Sequence, residues 1–213
     1  MAAFSLVKAP QKAVLSLDQF KSSLIDEYFN SDRNMEVGIS LINFFFDNQD
    51  YDMVISMIER GLPLNDEIIE RCVDACELRL YKILWPKHLK LTKEIMEKVC
   101  ANGNLDLVKW LGENECPFDS WTAAAAARSG HLEVLQWLKD NGYPFDVWAC
   151  SGAAMNGHLE VVKWLLSHGY PPGVWVCSYP ARNGHLEVLK WLIENGCDYP
   201  SLSTLKHEGR KHP

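Results

Sequence analysis

The residues best suited to chemistry are histidines and cysteines that recur. His131, His158 and His185 each follow a glycine and precede Leu-Glu-Val, and Cys150 and Cys177 stand 27 residues apart. Imidazoles and thiolates are the ligands of a zinc site, and a cysteine pair is the material of a disulfide. Both chemistries fail on distance. If the spacing marks equivalent places on neighbouring packed helices, those helices lie roughly 8–10 Å apart. A zinc bond is only about 2.0–2.3 Å long, and bridged Cα atoms must lie within about 7 Å. Cys72 and Cys76 are read as sharing one face of a helix, with Cys100 near them. They are the remaining source of a metal or redox centre, but burial as small apolar side chains is the preferred reading of them. The sequence contains no G-x-S-x-G elbow, no H-E-x-x-H, no phosphate-binding glycine loop and no C-x-x-C. It therefore predicts no catalytic residue, no metal and no cofactor: not an enzyme.

The elements that carry these residues are set by composition first. With 213 residues, 47% hydrophobic and 11% aromatic, the chain is of globular composition. A formal charge of −7 argues against nucleic acid, whose binding draws on Lys and Arg to neutralise phosphates. Only the tail from Lys206 to His212 is locally basic. Lys8 and Lys12 interrupt the place where a secretory apolar stretch would lie, and no run is long enough to span a bilayer. Seven scattered cysteines fit reduced thiols, so a cytoplasmic protein is expected.

The recurrence is general. Gly103, Gly130, Gly157 and Gly184 are spaced by 27 residues, as are Trp110, Trp137, Trp164 and Trp191, and a third ladder is Trp121, Trp148 and Trp175, with Leu202 next in register. Weaker copies, LRLYKIL from Leu78 and YDMVISMIERGLPLN from Tyr51, fall in the same phase. The expected organisation is N-terminal capping helices over residues 1–48, then six repeats: 49–75, 76–102, 103–129, 130–156, 157–183 and 184–213. The last of these is a polar C-terminal cap.

Each repeat reads as two short helices. From Leu132 to Asp140 the apolar Leu132, Val134, Leu135, Trp137 and Leu138 cover more than one face, so that helix has neighbours on two sides. Glu160 with Lys163, and Glu187 with Lys190, are spaced to pair along the exposed face. Gly142, Gly169 and Gly196 stand where a helix ends in a left-handed residue, and Pro144 and Pro171 block continuation. Asp119 and Asp146 are placed to cap the next, small-residue helices. One helix pair cannot bury its own apolar face, which is why it is repeated. His158 is expected to cap or bond neighbouring backbone just after a glycine turn, and Trp164 to fill a gap between repeats.

The stretch AARSGHLEVLQWLKDNGYP resembles ankyrin repeats: Ala126, Ala127, Gly130, His131, Leu132, Glu133, Val134, Leu138 and Gly142 follow that family's helix-turn-helix pattern, and GHLEV recurs at His131, His158 and His185. The resemblance implies an all-α solenoid that binds partner proteins. It departs from the family in two ways. The repeat is shorter than the usual length of about 33 residues, and Trp121, Trp148 and Trp175 stand where the family's T-P-L-H tetrapeptide begins. The expectation is a finger-less variant lacking β-hairpins. Short Trp-containing repeats of this kind are similar to those of large DNA viruses of amoebae and some protists, which would place the protein in host cytoplasm.

Among the best three copies, the positions that differ most are Thr122, Ala149 and Val176; Ala125, Gly152 and Tyr179; and Arg128, Met155 and Arg182. All lie in the first helix, which in ankyrin stacks lines the concave surface. Thr122, Arg128, Met155, Val176, Tyr179 and Arg182 are thus the candidate contacts of a partner protein on a monomeric stack. The Trp121, Trp148, Trp175 ladder is read as core that replaces the missing fingers, an exposed contact stripe being the other reading. Pro180, inside an expected helix, removes a backbone donor and predicts a kink that displays Tyr179. Two other functions are open: an adaptor for a host ubiquitin ligase, although residues 1–48 show no F-box-like pattern, and a metal or redox protein using Cys72, Cys76 and Cys100.

Overall fold

The computed structural model describes residues 16–31, 34–85, 87–173 and 175–197. The C-terminal cap sequence, the basic tail, Leu202, Lys8 and Lys12 lie outside them. The chain divides into two compact parts, residues 1–71 and 72–213. The described residues form thirteen α-helices and no strand.

In the first part, α1 (Leu17–Asn30) opens with a capping box between Ser16 and Gln19, and α2 (Met35–Asp47) is capped by the Asn34 side chain. With α3 (Tyr51–Glu59), they bury Ile25, Tyr28, Ile42, Phe45, Val54 and Met57. Gly38 lies against the Tyr28 ring and the Leu62 side chain, with no room for a Cβ, so α2 tolerates a helix-weakening glycine. Arg60 lies over the Phe29 ring at 4.6 Å and pairs with Asp26 at 2.7 Å. The boundary between the parts falls within α4 (Asp66–Asp74).

The second part is built of helix hairpins. After α5 (Leu78–Leu84), the pairs are α6 (Lys93–Asn102) with α7 (Leu105–Glu113), α8 (Ser120–Arg128) with α9 (Leu132–Asp140), α10 (Val147–Met155) with α11 (Leu159–Ser167), and α12 (Ser178–Asn183) with α13 (Leu186–Glu194). First helices α6, α8, α10 and α12 lie side by side in that order, while α5, α7 and α9, and α11 with α13, form the outer row. This is an all-α helical-repeat solenoid of the ankyrin type without β-hairpin fingers: residues 114–119 and 141–146 join one hairpin to the next without a strand. Ala123, Ala124, Ala126 and Ala127 of α8 and Ala149, Ala153 and Ala154 of α10 are all buried, which lets the first helices approach closely.

Backbone conformation keeps the period where side chains do not. Gln49, Cys76, Gly103, Gly130, Gly157 and Gly184 all have positive φ, between 49° and 84°. So do Gly61, Glu115, Gly142, Gly169 and Gly196, a second left-handed series in the same phase. Around Gly130 the turn is a Schellman motif: the Gly130 amide donates to Ala127 and the His131 amide to Ala126, and Gly142 and Tyr143 repeat it on Lys139 and Leu138. These bonds satisfy carbonyls that a helix end leaves without partners. Cys76 therefore lies past the end of α4 in a left-handed turn and does not share a helix face with Cys72, contrary to the four-residue spacing.

Candidate functional site

Each hairpin is tied to the one before it through the Gly-His pair. His131 Nε2 lies 3.0 Å from the Ala101 carbonyl, and His158 Nε2 lies 3.0 Å from that of Arg128. In each case the ring sits on the left-handed glycine of the preceding repeat. A Cβ on Gly130 would come within 2.6 Å of His158 Nδ1, and one on Gly157 within 2.5 Å of His185 Nδ1; Gly103 and His131 repeat the contact. The histidines thus read backbone across the repeat boundary and make no side-chain cap of their own helices. Asn104 takes the His131 place one repeat earlier, donating to the Cys76 carbonyl at 2.9 Å and capping α7.

The Trp110, Trp137, Trp164 series also faces back. Trp110 packs edge-on against Tyr81 and Trp85, Trp137 lies over Gly112, and Trp164 meets Phe145. Trp191 is likewise half-buried, on α13. Asp119 and Asp146 cap as the sequence predicts, accepting from the amides of Trp121 and Trp148 at 2.9 Å. Thr122 completes a capping box with Asp119. Lys163 pairs with Glu160 at 2.8 Å, but Lys190 turns the other way to Glu194 at 3.9 Å, instead of to Glu187.

The ladder of Trp121, Trp148 and Trp175 corrects an expectation. Trp121 and Trp148 are 45% and 44% exposed, their rings stacked with centroids 5.8 Å apart and planes at 16°; Trp175 is half-buried. The first two plug no core. They sit in the first turn of α8 and α10, at the end where the connecting segment arrives, and each covers its equivalent in the adjacent repeat.

Of the six candidate contacts, the structure puts Thr122 (1% exposed) and Val176 (2%) inside the stack, with Ala149 between them in register. Arg128 and Arg182 are exposed, Met155 and Tyr179 half-buried. Arg128, Met155 and Arg182 end successive first helices. The main chains of the first two are occupied: the Arg128 carbonyl meets His158, and the Met155 carbonyl accepts from Asn183 at 2.8 Å. Among the described residues neither Arg128 nor Arg182 has an ion-pair partner. Pro180 does not kink a long helix. Instead α12 begins only at Ser178, so the proline falls in its first turn, where no amide donor is needed.

The thiols are poor nucleophiles. Cys72, Cys76, Cys100, Cys116, Cys150 and Cys177 are buried, and none of them is in a disulfide. Burial pushes Cys100 and Cys150 up to about 12 and Cys116 up to about 11, which keeps them protonated and inert. Among the described residues no three of His, Cys, Asp and Glu converge as a metal-binding group.

Two overlapping stretches, residues 121–166 and 150–193, match the family model of ankyrin repeats. This segment is similar to ankyrin repeats. It holds the stacked tryptophans, the His158 and His185 contacts and the row from Arg128 to Arg182, so all the candidate contacts belong to the ankyrin portion of the chain. Comparison with curated proteins gave no significant match. Among the described residues no helix is long and apolar enough to cross a membrane.

Proposed function

We propose that the chain is a non-catalytic module that binds a partner protein through the face formed by the ends of its first helices, the concave face of the ankyrin stack. The observation that supports this most is the row Arg128, Met155, Arg182. At Arg128 and Met155 the main chain is committed to holding the repeats together, which leaves the side chains of the row to a partner. Tyr179 adds an aromatic next to them. Arg, Met and Tyr are the residues that interface centres favour. Because the surface is preformed by the stack, little ordering entropy opposes binding. The seven cysteines, none of them in a disulfide, support a reducing compartment, and we place the protein in cytoplasm, as a monomer. If the similarity to repeats of large DNA viruses extends to its source, that cytoplasm is the host's.

The test is capture from cell lysate by the wild-type chain beside a variant carrying Met155→Ala, Tyr179→Ala and Arg182→Glu, after equal helical content is shown by circular dichroism. A protein held by the wild type and lost by the variant supports the reading, and a ubiquitin ligase subunit among the captured proteins would make the module an adaptor. Identical capture by both sinks the assignment to this face.

A further inference from the structure

We propose a second recognition surface at the other end of the first helices: the stacked Trp121 and Trp148, with the carboxylates beside them, take an arginine-bearing segment of a partner protein. The fold does not account for these rings. The caps of α8 and α10 use the main-chain amides of Trp121 and Trp148, which any residue supplies, and the indoles are left nearly half in water. Phe118 and Val147, in the same two segments, are exposed as well. Contiguous apolar surface of this kind marks contact sites in soluble proteins.

Charge selects the occupant. Glu94 stands 27 residues before Trp121, in the same register one repeat earlier, so an acid continues the line of the tryptophans. Asp119 holds the Lys93 ammonium at 3.2 Å, and Glu94 and Glu97 both lie within electrostatic reach of that pair. Acidic groups thus outnumber the one ammonium, which pairs with Asp119 alone, and Asp146, with no ion pair among the described residues, adds a further carboxylate at the next cap. Lys87 and Lys90 belong to a separate hollow with Trp85 and His88. A guanidinium meets both features at once: its plane stacks on an indole face while its edge donates to a carboxylate. This surface is separate from the one proposed above, since the seven residue steps from Trp121 to Arg128 in α8 set them roughly 10 Å apart along the helix axis. The two ends are also opposite in charge.

The probe is an amide-capped peptide of three arginines separated by glycines, titrated into the full chain and followed by tryptophan emission and calorimetry. A peptide with citrulline in place of arginine is the control for shape without charge. Saturable binding of the arginine peptide alone is expected, weakened about tenfold by Trp121→Ala or Trp148→Ala, as loss of a cation–π contact implies. Glu94→Gln should weaken it several-fold, and the Met155, Tyr179 and Arg182 triple variant should bind normally. Because Glu94→Gln and the triple variant leave both indoles in place, the proposal is tested even if a tryptophan variant folds poorly. No binding of the arginine peptide overturns it, as does equal binding by well-folded tryptophan variants, which would reduce the effect to net charge. A concentration-dependent dimer dispersed by Trp148→Ala would also overturn it, assigning the face to a second copy of the chain.

Discussion

Replacing Gly130 by alanine isolates the contact that joins one repeat to the next. Two costs arise. The first is conformational: φ at Gly130 is +82°, and a left-handed residue with a Cβ costs about 1–2 kcal/mol. The second is steric: the new Cβ would stand 2.6 Å from His158 Nδ1 and 2.8 Å from Cε1, so the ring must move. Its bond to the Arg128 carbonyl, worth about 1 kcal/mol, is then strained or lost. Gly142→Ala carries the first cost alone, because φ is +75° and nothing lies within 4 Å of the added carbon. Gly130→Ala should therefore destabilise by about 2–3 kcal/mol and Gly142→Ala by about 1–2 kcal/mol. Urea unfolding followed by circular dichroism at 222 nm (the usual helix wavelength) measures both, and the difference corresponds to a melting shift of about 2–4 °C. In a His158→Ala background the extra cost of Gly130→Ala should vanish. If the two alanine variants lose equal stability, or the excess persists without the imidazole, the reasoning about the Gly-His contact is wrong.

Other perturbations give distinct readouts. Asp146→Ala removes the side-chain acceptor for the Trp148 amide and should cost about 1 kcal/mol in the same unfolding assay, with Asp146→Asn retaining most of it. Glu115 is exposed and holds φ at +55°, in phase with Gly142, so Glu115→Gly should raise stability by about 0.5–1 kcal/mol; a loss would refute the assignment of strain. Cys100 and Cys150 stay protonated in the fold up to about pH 12, whereas in the unfolded chain they ionise near their ordinary 9.0. The unfolded state then binds fewer protons, so stability present below pH 9 falls as pH rises, by about 1.4 kcal/mol per pH unit for each thiol. Unfolding free energies between pH 9 and 10.5 (about where base damage stays slow) should decline less steeply in Cys150→Ala, and an unchanged slope would contradict the burial argument.

Helices α8, α9 and α10 were legible because their boundaries are written in local chemistry: Asp caps, left-handed glycines and apolar spacing act within a few residues. The Gly-His turn was legible as a turn, but its partner, a carbonyl some thirty residues back, was not, since only stacking brings it near. Recurrence of Trp121 and Trp148 showed that one environment is repeated without saying which; two indoles that cover each other need no core. Variation misled at Thr122, Ala149 and Val176, because all three fit the same tight buried place and differ without ever meeting solvent. Cys76 shows the reverse: its spacing from Cys72 suggests a helix face, while its register with Gly103 places it in a left-handed turn. That register was in the sequence, and chemistry at short range hid it.

The Gly-His contact has a direction: the imidazoles of His131, His158 and His185 rest on Gly103, Gly130 and Gly157 of the repeat before, and each of these glycines receives the imidazole of the repeat after. A block cut from one such glycine to the residue before the next therefore carries one socket, its glycine, and one plug, the histidine that follows, facing opposite neighbours. Duplicating or deleting a block of this length regenerates the same junction on both sides, with no new packing to be found. Chains of this design can lengthen or shorten by recombination in whole steps. Each step adds or removes one place on the binding rows and leaves the joints between the remaining repeats intact.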